Sequence, residues 1–276
     1  MRTSVIIPTV GSHYLKYLLY GLANQIRRPN EVILVIKGDV NFVEKICNRY
    51  SLHYVLIEQE KGFFTTALNI GKREASADII IFTDEDAIPP KKWVLNYINL
   101  HRAYNQVAGI SSRDVYISLD DLRYLPTPDD RIHVRLYRFF IRPWLEPPHP
   151  LLKKYRLGVY LTKNLNTAYG PFIPHKACFS LPFKGVNMSF KREYVYDIFF
   201  PEHPLLKRGL NNERYFGLQL LLKGFDCIYV PHNVTFHIAR KSLSRPSKAE
   251  LAEVNREKQI MHALMEELIV SGKASI

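Results

Sequence analysis

The sequence predicts an α/β protein with a mostly parallel central sheet flanked by helices, and three observations carry that expectation. Through residue 115, short continuous apolar runs alternate with stretches of helical periodicity. Such runs read as strands buried on both faces, and helices of this length between them make βαβ units. The alternation stops over residues 116–178, which are rich in Pro and aromatics, and resumes from Phe179. The chain has 276 residues, 47% hydrophobic and 23% charged, enough apolar surface for a large core and too little charge for a disordered chain.

Ser4–Pro8 reads as the first strand, and His13–Gln25 as a helix with Leu15, Leu18, Leu19 and Leu22 on one stripe. Glu31–Ile36 is a second strand, Phe42–Tyr50 a short helix, His53–Ile57 a third strand and Thr65–Glu74 a helix. Asp78–Phe82 carries the strongest strand signal. Pro90–Tyr104 is a helix with Pro in its first turn, where the missing N–H costs nothing. Val107–Ser111 is another strand, and within the interruption Arg131–Ile141 has a weak helical pattern. Beyond it, Lys184–Phe190 reads as strand or turn and Lys191–Phe199 as helix. Asn212–Lys223 is an amphipathic helix stopped by Gly224, with Asp226–Pro231 and Val234–His237 as strands after it. Ser247 and Glu250 form an S-x-x-E capping box for a last helix with Leu251, Val254, Met261, Leu264 and Leu268 along one stripe.

Lys and Arg number 38 against 26 Asp and Glu, a formal charge of +12. That balance invites anionic partners: nucleotide phosphates, nucleic acid or acidic lipid. Three cysteines without a C-x-x-C pair argue against a disulfide scaffold or zinc ribbon and fit a reducing compartment. No apolar run is long enough to cross a membrane, and no leader-like apolar region follows the N-terminus. The expectation is a cytoplasmic protein, with peripheral contact to the cytoplasmic membrane face as its extension.

Four segments carry chemistry. Asp84-Glu85-Asp86 follows a buried strand, where ligands bind in open α/β sheets. Two carboxylates one residue apart can face one hard cation such as Mg²⁺ or Mn²⁺, and a solvated acidic turn is the competing reading. Gly185 and Asn187 suggest close backbone approach to a ligand, or a plain turn. Glu213 falls in the first turn of a helix, as a favourable structural charge or as a base at a pocket mouth. His237 ends a short apolar strand, as a third metal ligand or as a hydrogen-bonded structural residue.

Taken in order, these segments resemble the family 2 glycosyltransferases. Val5-Ile6-Ile7-Pro8-Thr9 matches the family's first strand, and Leu22-Ala23-Asn24-Gln25 through Pro29 and Glu31 to Val35 matches its L-x-N-Q-x-x-P-x-E-I-I-V-V phrase. Gly62, Ala67, Asn69 and Gly71 represent the G-x-x-x-A-x-N-x-G phrase. Asp84-Glu85-Asp86 matches D-x-D, with Pro89 and Trp93 downstream, and Gly185 to Arg192 matches G-x-N-M-x-F-R-R. Asn212-Glu213 aligns with the E-D motif, and Tyr229, Val230, Pro231 and His237 with the Y-V-P…H ending. The resemblance covers residues 3–115 and 180–240.

It implies a GT-A fold, Rossmann-like with an acceptor-side insertion, and an inverting hexosyltransferase-type reaction. The donor would be a nucleotide-diphosphate-sugar, the cofactor Mn²⁺ or Mg²⁺, and the acceptor a glycan or lipid-linked hydroxyl. It puts the donor against Pro8, Thr9 and Gly11, Lys37 and Asp39, Gly62 and Asn69, and Asp84, Glu85 and Asp86. Asp86 and Asp84, with His237, are the expected metal ligands, and Glu213 the catalytic base. Gly185, Asn187 and Asn212 are expected on the acceptor side. Three positions depart from the family. Ile36-Lys37-Gly38-Asp39 replaces its D-D-G-S, which leaves the nucleotide base open, with Asp39 as a replacement contact and Lys37 as a phosphate contact. Leu68 stands where an Arg is usual, and Asn212-Glu213 replaces E-D.

Residues 1–240 are expected to form the transferase domain, with a nucleotide-sugar half (1–115), a basic aromatic insertion (116–178) and a catalytic half (179–240), followed by a helical tail (241–276). Between Arg131 and Lys176 there are nine Lys/Arg and one acid, Glu146, interleaved with Tyr137, Phe139, Phe140, Trp144, Tyr155 and Tyr160. This suits an anionic membrane surface. It equally suits a polyanionic or lipid-phosphate acceptor, or a solvated insertion with its aromatics packed beneath. Nucleic acid is not an expected partner, since no binding motif for it is present. Two other functions compete: a degenerate module of the same fold that binds anionic polymer or membrane without catalysis, and a sugar nucleotidyltransferase.

Overall fold

The computed structural model describes residues 1–121, 123–127, 131–239 and 250–273; the expected Ser247 cap lies outside them. In chain order the first elements are β1 (Thr3–Thr9), α1 (Leu15–Ala23), β2 (Glu31–Ile36), α2 (Val40–Cys47), β3 (Tyr54–Glu58), α3 (Phe64–Glu74), β4 (Ile79–Phe82), β5 (Ala87–Ile88), α4 (Trp93–Ala103) and β6 (Gly109–Ser111). Then come β7 (Asp114–Ile117), β8 (Tyr124–Leu125), α5 (Ile132–Leu136), a π turn (Tyr137–Ile141), α6 (Arg142–Leu145), β9 (Val159–Leu161), β10 (Thr167–Tyr169) and β11 (Cys178–Phe179). The chain continues with β12 (Met188–Lys191), α7 (Arg192–Val195), α8 (Asn212–Leu222), β13 (Cys227–Tyr229), β14 (Thr235–Ile238) and α9 (Leu251–Lys273).

Eight strands form one sheet in the order β11-β13-β6-β12-β4-β1-β2-β3. β4, β1, β2 and β3 are mutually parallel, and β13 is parallel to β6. β12 enters antiparallel between β4 and β6, and β11 edges the sheet antiparallel to β13. The expected mostly parallel sheet is therefore present. Its strands are apolar without alternation because both faces are covered. Val5, Ile7, Val32, Leu34, Ile79 and Ile81 face one way, into a core with Leu18 and Leu22 of α1 and Trp93 and Tyr97 of α4. Ile6, Ile33, Val35, Ile80 and Phe82 face the other, against Ala67 of α3 and Phe216 and Leu220 of α8. On that side Gly71 lets α3 sit directly on β1: a Cβ there would come 2.4 Å from Ile6 Cγ2.

A second sheet, β5-β14-β7-β8, joins the expected strand near Val234–His237 to β5, to β7 and to β8, which lies where the strand-helix alternation breaks off. The insertion also supplies the β9–β10 hairpin and a third core, where Leu152, Tyr155 and Leu161 meet Leu218 of α8 and Met261, Met265 and Ile269 of α9. The last helix thus packs on its own chain. The helix expected over Lys191–Phe199 stops at Val195. The stretch that follows is held to α3 instead, Phe200 N–H donating to Asn69 Oδ1 at 2.8 Å.

Candidate active site

The carboxyl ends of β1, β2 and β4 open into a cleft of about 580 Å³. It lies at the end of the sheet where ligands bind in open α/β folds. β4 ends at Phe82, and a tight turn, with Ala87 N–H donating to Asp84 O at 3.1 Å, brings the chain into β5. Asp84 and Asp86 are carried on that turn.

The second sheet brings the remaining groups. His237 of β14 pairs with Ala87 of β5 on one side and Tyr116 of β7 on the other. Ligand atoms of Asp84, Asp86 and His237 all lie within 4.8 Å of one another. His237 Nε2 is 3.2 Å from Asp86 Oδ1, and Nδ1 is 2.9 Å from Asp114 Oδ2. The Tyr116 ring stacks on the imidazole at 4.9 Å. Burial disfavours a charged imidazole, but hydrogen bonds to Asp114 and Asp86 outweigh it and raise the His237 pKa to about 10. For Asp114, burial favours the neutral acid; the His237 hydrogen bond and the Lys184 charge overcome it and hold the carboxyl below its usual range.

This donor set fits a hard divalent cation. It offers carboxylate oxygens, the ligands that suit Mn²⁺ and Mg²⁺, and one imidazole nitrogen, which can bind once it has released its proton. Asp114 grips the far nitrogen of His237, the arrangement that fixes the tautomer and direction of a metal-binding histidine.

The N-terminus of α8 forms the facing wall. Asn211 takes a left-handed conformation (φ 62°), and Gly209 does the same (φ 62°), where a Cβ would stand 2.8 Å from Thr65 Cγ2. The Lys207–Gly209 loop is tied to α9: Arg208 Nη2 donates to Glu250 Oε1 at 2.6 Å and its backbone N–H to Glu257 Oε1 at 2.9 Å. Glu213 pairs with Arg214, whose Nη2 donates to the Tyr169 hydroxyl at 2.7 Å. Asn212 Nδ2 donates to Gly209 O at 2.6 Å, while its buried Oδ1 has no hydrogen-bond partner among the described residues.

Of the residues expected from sequence, Pro8, Thr9, Lys37, Asp84, Glu85 and Asp86 line the cleft from the sheet. Gly185, Asn212, Glu213 and His237 line it from the other side. Glu85 points back into the protein: its Oε2 accepts from Thr9 Oγ1 at 2.5 Å and from the backbone N–H groups of Val10 and Ser12 at 3.3 and 3.2 Å. It shapes the loop after β1. Lys37 Nζ donates to Gly62 O at 2.6 Å and lies over the Phe63 ring.

Five residues are not brought to the cleft wall. Asn187 is fully buried and its amide is fully used. Its Oδ1 accepts from Trp93 Nε1 and the Tyr97 hydroxyl at 2.8 and 2.6 Å, and its Nδ2 donates to Arg113 O and Asn233 O at 3.0 and 2.8 Å. It ties α4 to the approaches of β7 and β14 and does not line the cleft. Asn69 is likewise spent on Phe200 and Glu202 and does not line the cleft. Asp39 caps α2, accepting from Phe42 N–H at 3.0 Å. Gly11 and Gly62 turn the chain with positive φ (78° and 86°) just outside the wall. Sequence reading missed Asp114, Tyr169, Lys184 and Arg214, which line the cleft. The alternating Asp-Val-Tyr-Ile after a buried strand was the available signal for Asp114.

The model of the family described as glycosyl transferase family 2 matches residues 4–159. No curated protein matches the chain. Among solved structures it is similar to residues 1–349 of S. aureus TarS in complex with UDP-GlcNAc, at 17% identity and TM-score 0.59, covering 90% of this chain and 62% of that one. It is also similar to the mannosyltransferase PcManGT from Pyrobaculum calidifontis in complex with GDP-Man and Mn²⁺, at 18% identity and TM-score 0.56, covering 87% and 57%. The chain therefore spans less than two thirds of either structure, and at these identities the likeness is one of fold.

Proposed function

The chain belongs to glycosyl transferase family 2; on that premise we propose that it moves a hexosyl group from a nucleotide-diphosphate-sugar to an acceptor hydroxyl of a glycan or lipid-linked glycan, by direct displacement with inversion. One juxtaposition carries the reading. The Asp84–Asp86–His237 set and the Glu213–Arg214 pair line the same cleft.

Asp84, Asp86 and His237 would hold the Mn²⁺ or Mg²⁺, which supplies positive charge for a leaving diphosphate when bound. The end of the cleft lined by Pro8, Val35 and Phe63 offers apolar and aromatic surface suited to the nucleoside. Lys184, in the field of Asp114 and Tyr169, adds a cation to the same space. Glu213 then takes the proton of the acceptor hydroxyl as its oxygen bonds to the anomeric carbon and the bond to the leaving phosphate breaks. Pairing with Arg214 holds the Glu213 carboxyl in a fixed direction at the cleft wall. Asn212 Oδ1 provides an acceptor for a second sugar hydroxyl.

The test is Glu213→Gln. Nucleotide binding stays at the wild-type level while transfer falls by a factor of about 10² or more. Equal loss of both would show that Glu213 only supports the wall.

A further inference from the structure

The helix from α5 through the π turn to α6 is built inside out. Its exposed face is apolar: Ile132 is 73% exposed, Phe140 63%, Trp144 86% and Leu145 69%, with Leu136 and Phe139 between them. Ile132, Leu136, Phe140 and Trp144 recur at helical spacing and share one stripe. Two arginines are among the residues turned toward the protein. Arg138 stacks over the Tyr169 ring, and Arg142 donates to Tyr169 O at 3.4 Å while pairing with Glu146 at 2.8 Å. A surface helix in water does the reverse, and a contiguous exposed apolar stripe marks an interaction surface.

Charge identifies the partner. Residues 131–176 hold nine Lys/Arg and a single acid, and that acid, Glu146, is already paired with Arg142. Arg131 and Arg135 flank the stripe on the exposed side. An exposed apolar stripe carrying Trp and Phe with Arg131 and Arg135 beside it, in a segment of net positive charge, matches an anionic bilayer, whose headgroups take the cations while its acyl boundary takes the rings. The helix is too short to cross the hydrocarbon core, which needs about 20 residues, so it would lie in the interface plane.

We propose that the Ile132–Leu145 helix docks this protein on an anionic lipid bilayer through Ile132, Leu136, Phe140, Trp144 and Leu145. The docking does not rest on the transfer reaction. One consequence does: Tyr169 touches both this helix and Arg214, so the cleft opens next to the lipid surface and suits an acceptor presented from it.

The test uses the full chain with phosphatidylcholine vesicles, with and without phosphatidylglycerol. The chain has two tryptophans, Trp93 fully buried and Trp144 exposed, so a change in emission on lipid reports Trp144. Sedimentation and a blue shift with the anionic vesicles are expected, weakening as salt is raised. Trp144→Phe should still sediment without the blue shift. Phe140→Ser with Trp144→Ser, both on the exposed face, should keep the wild-type unfolding midpoint and lose binding roughly tenfold or more. Asp86→Ala should bind vesicles as wild type does, which separates docking from the nucleotide chemistry. Absence of sedimentation with anionic vesicles would overturn the proposal. So would lipid-free self-association abolished by the double variant, which would make the stripe a contact between copies of the chain.

Discussion

His237 is held between two carboxylates, Asp114 at 2.9 Å from Nδ1 and Asp86 at 3.2 Å from Nε2. Asp86 sits on the acidic turn expected to bind metal; Asp114 grips the imidazole from behind. The relationship predicts that Asp114→Asn keeps the fold but weakens Mn²⁺ binding by about 10- to 100-fold, because the histidine loses the group that fixes its tautomer. Titration with Mn²⁺ alone measures this. Unchanged affinity would remove Asp114 from the site.

Asn187 is predicted to matter for stability. Asn187→Leu leaves the buried Trp93 N–H and Tyr97 hydroxyl without their shared acceptor, at a cost of about 3 kcal/mol or more. Urea unfolding checks it. A loss under about 1 kcal/mol together with lost acceptor affinity would restore the acceptor-side role.

Acid sensitivity has an identifiable source in His101. Burial, aided by the Lys191 charge, lowers its pKa from 6.5 to about 3. Between those values the unfolded chain binds a proton that the folded chain does not, so stability falls as pH falls through that window. His101→Gln should remove this share, improving by about 2 kcal/mol relative to wild type between pH 7 and pH 5. A constant difference between the two proteins across that range would contradict the assignment.

The central sheet was legible because its strands are buried on both faces: Val32–Ile36 and Ile79–Phe82 are continuous apolar runs that admit little else. The acidic turn and Glu213 were legible from their positions after a strand and at a helix start. The second sheet was not, because β5 and β8 span two residues each and carry no readable period. Asp114 was hidden with it, since only the β14–β7 pairing brings it to His237. The places of Asn69 and Asn187 off the cleft wall were not legible for a related reason. Each fits the family phrase, yet a buried amide whose hydrogen bonds are made within the protein looks the same in sequence as one that binds a ligand.

The proposed reaction stands on the Asp84–Asp86–His237 set binding a divalent cation that the cleft uses for a nucleotide diphosphate. The most direct test is calorimetric titration with UDP and with GDP, each with and without Mn²⁺. Binding of at least one nucleotide that requires Mn²⁺ and disappears in Asp86→Ala is expected. Binding of equal strength without the metal, or retained in Asp86→Ala, would contradict it.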